Sequence, residues 1–187
     1  MQGIRNSISA AAVVATALAG TAFAEASDET IRIVDTHTIN GFDVGNDKTT
    51  WPSYQLSYSM CDRLFAFGIV DDGDGFISDD PNVITGELAE SWEYNEDNTV
   101  LTVTIKEGAT FHNGDPVTAE DVAWSLARAA TTPRTKNQMK VGGMVREDQF
   151  VALDDRTVQI TLDSANRFLI SDLVVPMAVI YNAGLIQ

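Results

Sequence analysis

Two histidines, one cysteine and a dense set of carboxylates are the side chains of this 187-residue chain with the most chemistry to offer. The tightest grouping is DDGDGFIS, Asp71 to Ser78, in which Asp72, Asp74, Gly75 and Ile77 fall correctly for the middle of an EF-hand calcium loop. That register puts Val70 at the first ligand position and Pro81 at the twelfth, so the opening Asp and the closing bidentate Glu are missing. The residues favour a solvated turn over a calcium loop. His37 and His112 have no partner at metal-ligand spacing, and the single Cys61 excludes an intramolecular disulfide. There is no G-x-S-x-G elbow and no glycine-rich phosphate loop, and the acidic pairs Asp71-Asp72 and Asp154-Asp155 fall in turns. Cys61, within SYSMCDRLFAF, reads as a small buried apolar residue. His112, within Phe111-His112-Asn113-Gly114, reads as a hydrogen-bonded structural residue of a tight turn. No catalytic residue, metal ligand or cofactor is assigned. A secreted acidic calcium-binding module and a secreted hydrolase fragment stay open as alternatives to a binding protein.

The formal net charge is -15, and lysine and arginine are scattered singly, which leaves no footprint for nucleic acid or anionic lipid. Residues 1–24 have the order of a cleavable export signal. Arg5 is followed by a small and apolar run from Ile8 to Ala19 and then by Ala22-Phe23-Ala24 in an A-x-A arrangement. The run is too short and too alanine-rich for a comfortable membrane span, so the expectation is a free, exported protein that begins at Glu25.

The elements that must position any site follow from periodicity. Thr30 to Thr36 reads as a strand, and Trp51 to Phe67 carries apolar residues at helical spacing with Pro52 in the first turn. Asp71 to Asn82 has loop composition. Trp92 to Tyr94 and Val100 to Lys106 flank the turn residues NEDN as a hairpin, and FVALDD with RTVQITLD forms another. Between them Asn113-Gly114 turns the chain, and Thr118 caps a helix over Ala119 to Ala130, with Glu120 and Asp121 at its positive end. Trp92, Phe111 and Trp124 are read as anchors pinning hairpin and helix to one core. Ala165 to Leu173 suggests a further helix. The apolar run VVPMAVIYNAGLIQ calls for a covering layer, so the chain is read as the N-terminal piece of something larger.

The stretch from Glu87 to Ala130 resembles the family 5 extracellular solute-binding proteins, the peptide and nickel receptors of ABC importers. The features are LAESW at Leu88 to Trp92, a Thr-alternating strand at Val100 to Ile105, Lys106 to Gly108, F-H-x-G at Phe111 to Gly114, and PVTAEDV at Pro116 to Val122. They occur in the family's order. One departure is Phe42-Asp43-Val44 in place of the Leu-Asp-Pro common after the first strand. The resemblance implies an α/β fold of the periplasmic-binding-protein-like (type II) kind, an incomplete lobe with a mixed sheet and flanking helices, filling residues 25–187, with the second lobe absent. It implies a periplasmic, non-enzymatic, monomeric receptor that closes on a small peptide or similar solute and delivers it to an inner-membrane ABC permease. Ligand would then lie in a crevice lined by the loop after the opening strand. The candidate contacts there are Thr36, His37 and Thr38, with Tyr54 and Tyr58 as aromatic walls.

Overall fold

Strand β4 (Val100–Ile105) is the spine of the molecule, and its alternation explains why: Leu101, Val103 and Ile105 are fully buried while Thr102 and Thr104 lie between them, half-exposed. The computed structural model describes residues 38–46, 48–71, 73 and 77–186, all within one unit, Asp35–Gln187. The export signal and the strand expected over Thr30 to Thr36 lie outside the described residues, as do Asp72, Asp74 and Gly75. β4 is flanked by β3 (Ala89–Tyr94) and β6 (Thr157–Thr161), with β5 (Phe150–Ala152) beyond, giving a four-stranded sheet in the order β3-β4-β6-β5. Each of these pairings is antiparallel. Both expected hairpins are present. The Asn95 side chain accepts from the amides of Thr99 and Val100 and so closes the first turn, with Asn98 left-handed at φ 53°.

One face of this sheet is covered by helix α2 (Ala119–Thr131), whose buried Ala119, Val122, Leu126, Ala129 and Ala130 form a single stripe. The helix starts where the sequence places it. Thr118 Oγ1 accepts from the Asp121 amide at 3.2 Å, and the Asp121 carboxylate accepts in return from the Thr118 amide at 3.0 Å. The core joins β4, α2, Val158 and Ile160 of β6, and Met139, Met144, Leu169 and Leu173 from the later segments. Truncating a side chain such as Leu101 to Ala costs about 2–5 kcal/mol, because transfer and cavity terms add.

Three expectations are corrected. Helix α1 runs only over Trp51–Met60, and Phe65 to Phe67 belong to β1 (Phe65–Asp71). The reason is non-local: the Leu64 carbonyl accepts from the amides of Glu87 and Ala89, and Phe65 to Phe67 pair with Ile84 to Gly86. Sheet pairing outweighs the helical spacing. The stretch Asp71 to Asn82 is not loop throughout, since β2 (Ile77–Gly86) returns antiparallel to β1 through Pro81, with a register shift opposite Phe67 and Gly68. The helix expected over Ala165 to Leu173 contracts to α4 (Leu169–Asp172), because Asn166 is tied instead to Gly142, Asp172 and Asn98. Short helices α3 (Lys136–Met139) and α5 (Ala183–Ile186) complete the described elements, together with single 3-10 turns.

The anchors divide. Trp92 meets Phe65 edge-on at 5.1 Å and Phe111 packs against the core. Trp124 does not reach it and instead lies 5.7 Å from the Arg128 guanidinium. Cys61 is half-buried rather than fully buried. His112 is exposed and makes no side-chain hydrogen bond with the described residues. Its turn is held by the backbone bonds from Phe111 to Asp115 and from Gly114 to Phe111.

Candidate functional site

The polar loop Thr38–Thr50 is fastened to α1, α2 and the segment after α2 by side-chain hydrogen bonds. Asn40 is the inner fastener. Its amide donates to Ser53 Oγ at 2.9 Å, and its side-chain oxygen accepts from the Thr50 amide and from Ser53 Oγ, both at 3.1 Å. Thr50 Oγ1 donates to the Thr38 carbonyl at 2.7 Å. Further along, the Asp43 carboxylate receives Arg128 of α2 at 2.7 Å and the Gly45 amide at 2.9 Å. Val44 is buried, and its amide donates to the Tyr181 hydroxyl at 3.0 Å, which in turn donates to the Phe42 carbonyl at 3.1 Å. Burial pushes the Tyr181 hydroxyl far above its ordinary value, against the opposing pull of the Val44 bond. A groove of 310 Å³ runs along this loop, lined by Asn40, Gly41, Asp43, Asn46, Lys48 and Thr49.

Of the expected contacts, Thr36 and His37 lie outside the described residues. Thr38 is exposed, and its carbonyl accepts from Thr50 Oγ1 at the N-cap of α1. Tyr54 is 4 % exposed, and its hydroxyl has no hydrogen-bond partner among the described residues. Desolvation raises that hydroxyl to about 12, with nearby Arg134 pulling weakly the other way. Tyr54 stacks on Trp51, with ring centroids 6.0 Å apart and planes at 7°, and Trp51 is 62 % exposed. Arg134 stands 6.0 Å from the Tyr54 ring and donates to the Thr49 carbonyl at 3.2 Å. Tyr58 is set apart from this group. The buried Arg63 guanidinium lies 4.0 Å over its ring and is paired with Glu87, so this face of Tyr58 is already occupied.

The structure therefore gathers Thr38 and Tyr54 with Asn40, Trp51 and Arg134, residues that sequence reasoning did not single out. Trp51 was legible as an aromatic beside a helix-starting proline. Arg134 lies 85 positions from its partner Thr49, and no local pattern connects them.

A second cavity, of 580 Å³, is lined by Cys61, Asp62, His112, Asn113, Tyr181 and Asn182 among others. Burial first, and Asp62 second, raise the Cys61 thiol, which makes it a poor nucleophile. Among the described residues no three His, Cys, Asp or Glu side chains converge to hold a metal ion, and no helix is long and apolar enough to cross a membrane. The arrangement around Tyr54 offers stacking surface, hydrogen-bond donors and positive charge, which is the equipment of reversible binding.

Residues 83–184, more than half of the chain, match the bacterial extracellular solute-binding proteins, family 5 Middle. The chain is similar to the dipeptide-binding protein DppE of Bacillus subtilis, 31 % identical over 97 residues that cover 45 % of this chain and 18 % of that protein. It is also similar to a probable D,D-dipeptide-binding periplasmic protein, DdpA of Escherichia coli, 35 % identical over 118 residues, covering 63 % and 20 % respectively. The matched stretches thus span about a fifth of these relatives. Among solved structures, MoaA of A. tumefaciens R10 in complex with mannopinic acid superposes with a TM-score of 0.64 at 25 % identity, covering 79 % of this chain and 28 % of that one. Listeria monocytogenes OppA bound to peptide superposes at 0.60 and 22 % identity, over 81 % of this chain and 30 % of that one, a likeness of fold. The family match covers the β3-β4 and β5-β6 hairpins, the F-H-x-G turn and α2, and the chain belongs to the family 5 bacterial extracellular solute-binding proteins.

Proposed function

We propose that this chain is the N-terminal part of the exported solute-binding component of an ABC importer, and that its solute is a short peptide. Family membership is the observation that carries the reading, and the two curated relatives, both named for dipeptide binding, supply the solute class. Thr36, His37 and Thr38 form this chain's share of the binding surface, while the buried Tyr54 backs the exposed Trp51 ring and Tyr58 is held under Arg63. The solute is gripped when a second lobe closes over this one, because contacts to both bodies are made only in the closed state, and the ligand stabilises that state by its differential affinity. The closed form then presents the solute to a permease in the membrane. Residues 1–24 direct export and are removed after Ala24.

Calorimetry of the full-length protein with a dipeptide mixture, followed by mass analysis of the mixture, tests the reading. The expected result is saturable binding at one site with the peptides recovered intact. Peptide cleavage, or no heat with any dipeptide, overturns it. Because closure needs two bodies, residues 25–187 alone are expected to give no measurable heat with the same mixture.

A further inference from the structure

Hairpin β1–β2 is rooted in the core and carries its far end into solvent. Phe65 is fully buried and Phe67 and Ile84 pack on the core, but Ile69, Val70 and Asp71 at the end of β1 are exposed. The two strands pair only with each other, in a sheet of their own. Beyond the register shift, Ile69 stands opposite Asp79 and Asp71 stands opposite Ile77. Residues directly opposite share a face, as do residues two apart on one strand, so these four side chains form one patch with isoleucine and aspartate at alternate corners. The two aspartates lie on a diagonal of about 7–8 Å, and the two isoleucines lie on the other.

The composition of the patch selects what can cover it. Ile69 and Ile77, at 75 % and 72 %, are the most exposed large apolar residues among those described. Asp71 and Asp79 are exposed and make no ion pair with a described residue, and neither strand contains a lysine or arginine. Bare aliphatic side chains gain from burial, and carboxylates without cations set the sign of the surface that buries them. A second copy of this face would bring aspartate against aspartate, the device by which exposed strands resist self-association. An anionic membrane surface is repelled in the same way.

We propose that the face formed by Ile69, Asp71, Ile77 and Asp79 is a docking surface for a partner protein that presents two basic side chains about 7–8 Å apart beside an aliphatic patch. Burial of the isoleucines supplies affinity, and the aspartates fix register and speed the encounter. None of the four residues belongs to the candidate solute site, so this surface stands or falls independently of the solute-binding reading.

The probe is a helical peptide with lysine at positions i and i+4 and leucine at i+3 and i+7, which places both residue types on one helix face. Its binding to the full-length protein is followed by fluorescence anisotropy of the labelled peptide. Saturable binding that weakens with added salt is expected, and replacing the leucines of the peptide by glutamine should weaken it at least about tenfold. Asp71→Asn with Asp79→Asn, and separately Ile69→Ser with Ile77→Ser, should each cost about tenfold or more. Glu93→Gln with Glu96→Gln removes the same charge from exposed positions elsewhere and should leave binding unchanged. No binding of the peptide overturns the proposal. So do equal binding of the glutamine peptide, equal losses from the two pairs of charge variants, and an unchanged affinity in either hairpin variant with its melting curve intact. All of the substituted side chains are exposed, so the variants are expected to melt with the wild type.

Discussion

Replacing Glu87 by Gln keeps the shape of the side chain and removes the charge that neutralises Arg63. Arg63 is the one arginine of the described residues that is fully buried, at 5 % side-chain exposure, and Glu87 is 26 % exposed. The pair is made by several bonds at once. The Arg63 amide and Nε donate to Glu87 Oε2 at 2.8 and 3.0 Å, and a terminal nitrogen reaches Oε1 at 3.2 Å. The other terminal nitrogen reaches the Val174 carbonyl at 3.4 Å, and the guanidinium lies over Tyr58. Breaking a fully buried pair costs about 3–5 kcal/mol, chiefly because a desolvated charge is left alone. Partial exposure of Glu87 admits water and reduces this, so about 2–3 kcal/mol is expected for Glu87→Gln. For a domain of this size that lowers Tm by about 5–10 °C. Urea unfolding followed by tryptophan fluorescence is a suitable assay, since Trp92 meets Phe65 edge-on one residue beyond the Arg63–Leu64 segment. Arg63→Met combined with Glu87→Leu should recover most of the loss, because it removes both charges together. A Glu87→Gln variant that unfolds at the wild-type urea concentration would refute the reasoning, as would a double variant less stable than Glu87→Gln.

Three further outcomes are expected. Thr118→Ala removes the hydroxyl that caps α2 and should cost about 1–2 kcal/mol in urea unfolding, with Thr118→Ser restoring most of it. Tyr181→Phe deletes the hydroxyl that accepts from Val44 and donates to Phe42, so the Val44 amide should exchange with solvent faster by at least about tenfold while α2 amides are unchanged. The Asp154 carboxyl is held below its ordinary value of 3.8, first by the Arg156 amide and then by Thr157. A depressed folded value means stability that is present above pH 3.8 and lost as pH falls through the lower folded value. The stability gap between wild type and Asp154→Asn should therefore be open at neutral pH and close in acid, and a gap that is constant with pH would contradict the assignment.

Local chemistry fixes much of this protein. Strand β4 follows from alternating Thr and aliphatic residues, its turn from Asn95 and Asn98, and the start of α2 from Thr118 followed three residues later by Asp121. Each of these signals is complete within a few residues, so the sequence alone carries it, and the resemblance to a solute-binding family lies in the same segment. What only the tertiary structure decides is where distant segments compete. Trp51 to Phe67 has helical spacing throughout, yet β2 claims Phe65 to Phe67 for a hairpin and Glu87 claims Arg63, so α1 stops at Met60. The candidate site has the same origin. Tyr54 owes its burial and its cationic neighbour to the loop Thr38–Thr50 and to Arg134, which are brought together by bonds spanning 85 residues at Arg128–Asp43 and Arg134–Thr49. The physical reason is range: capping and alternation are satisfied within one turn or one strand, whereas a binding surface is assembled from side chains whose proximity exists only after the core has formed.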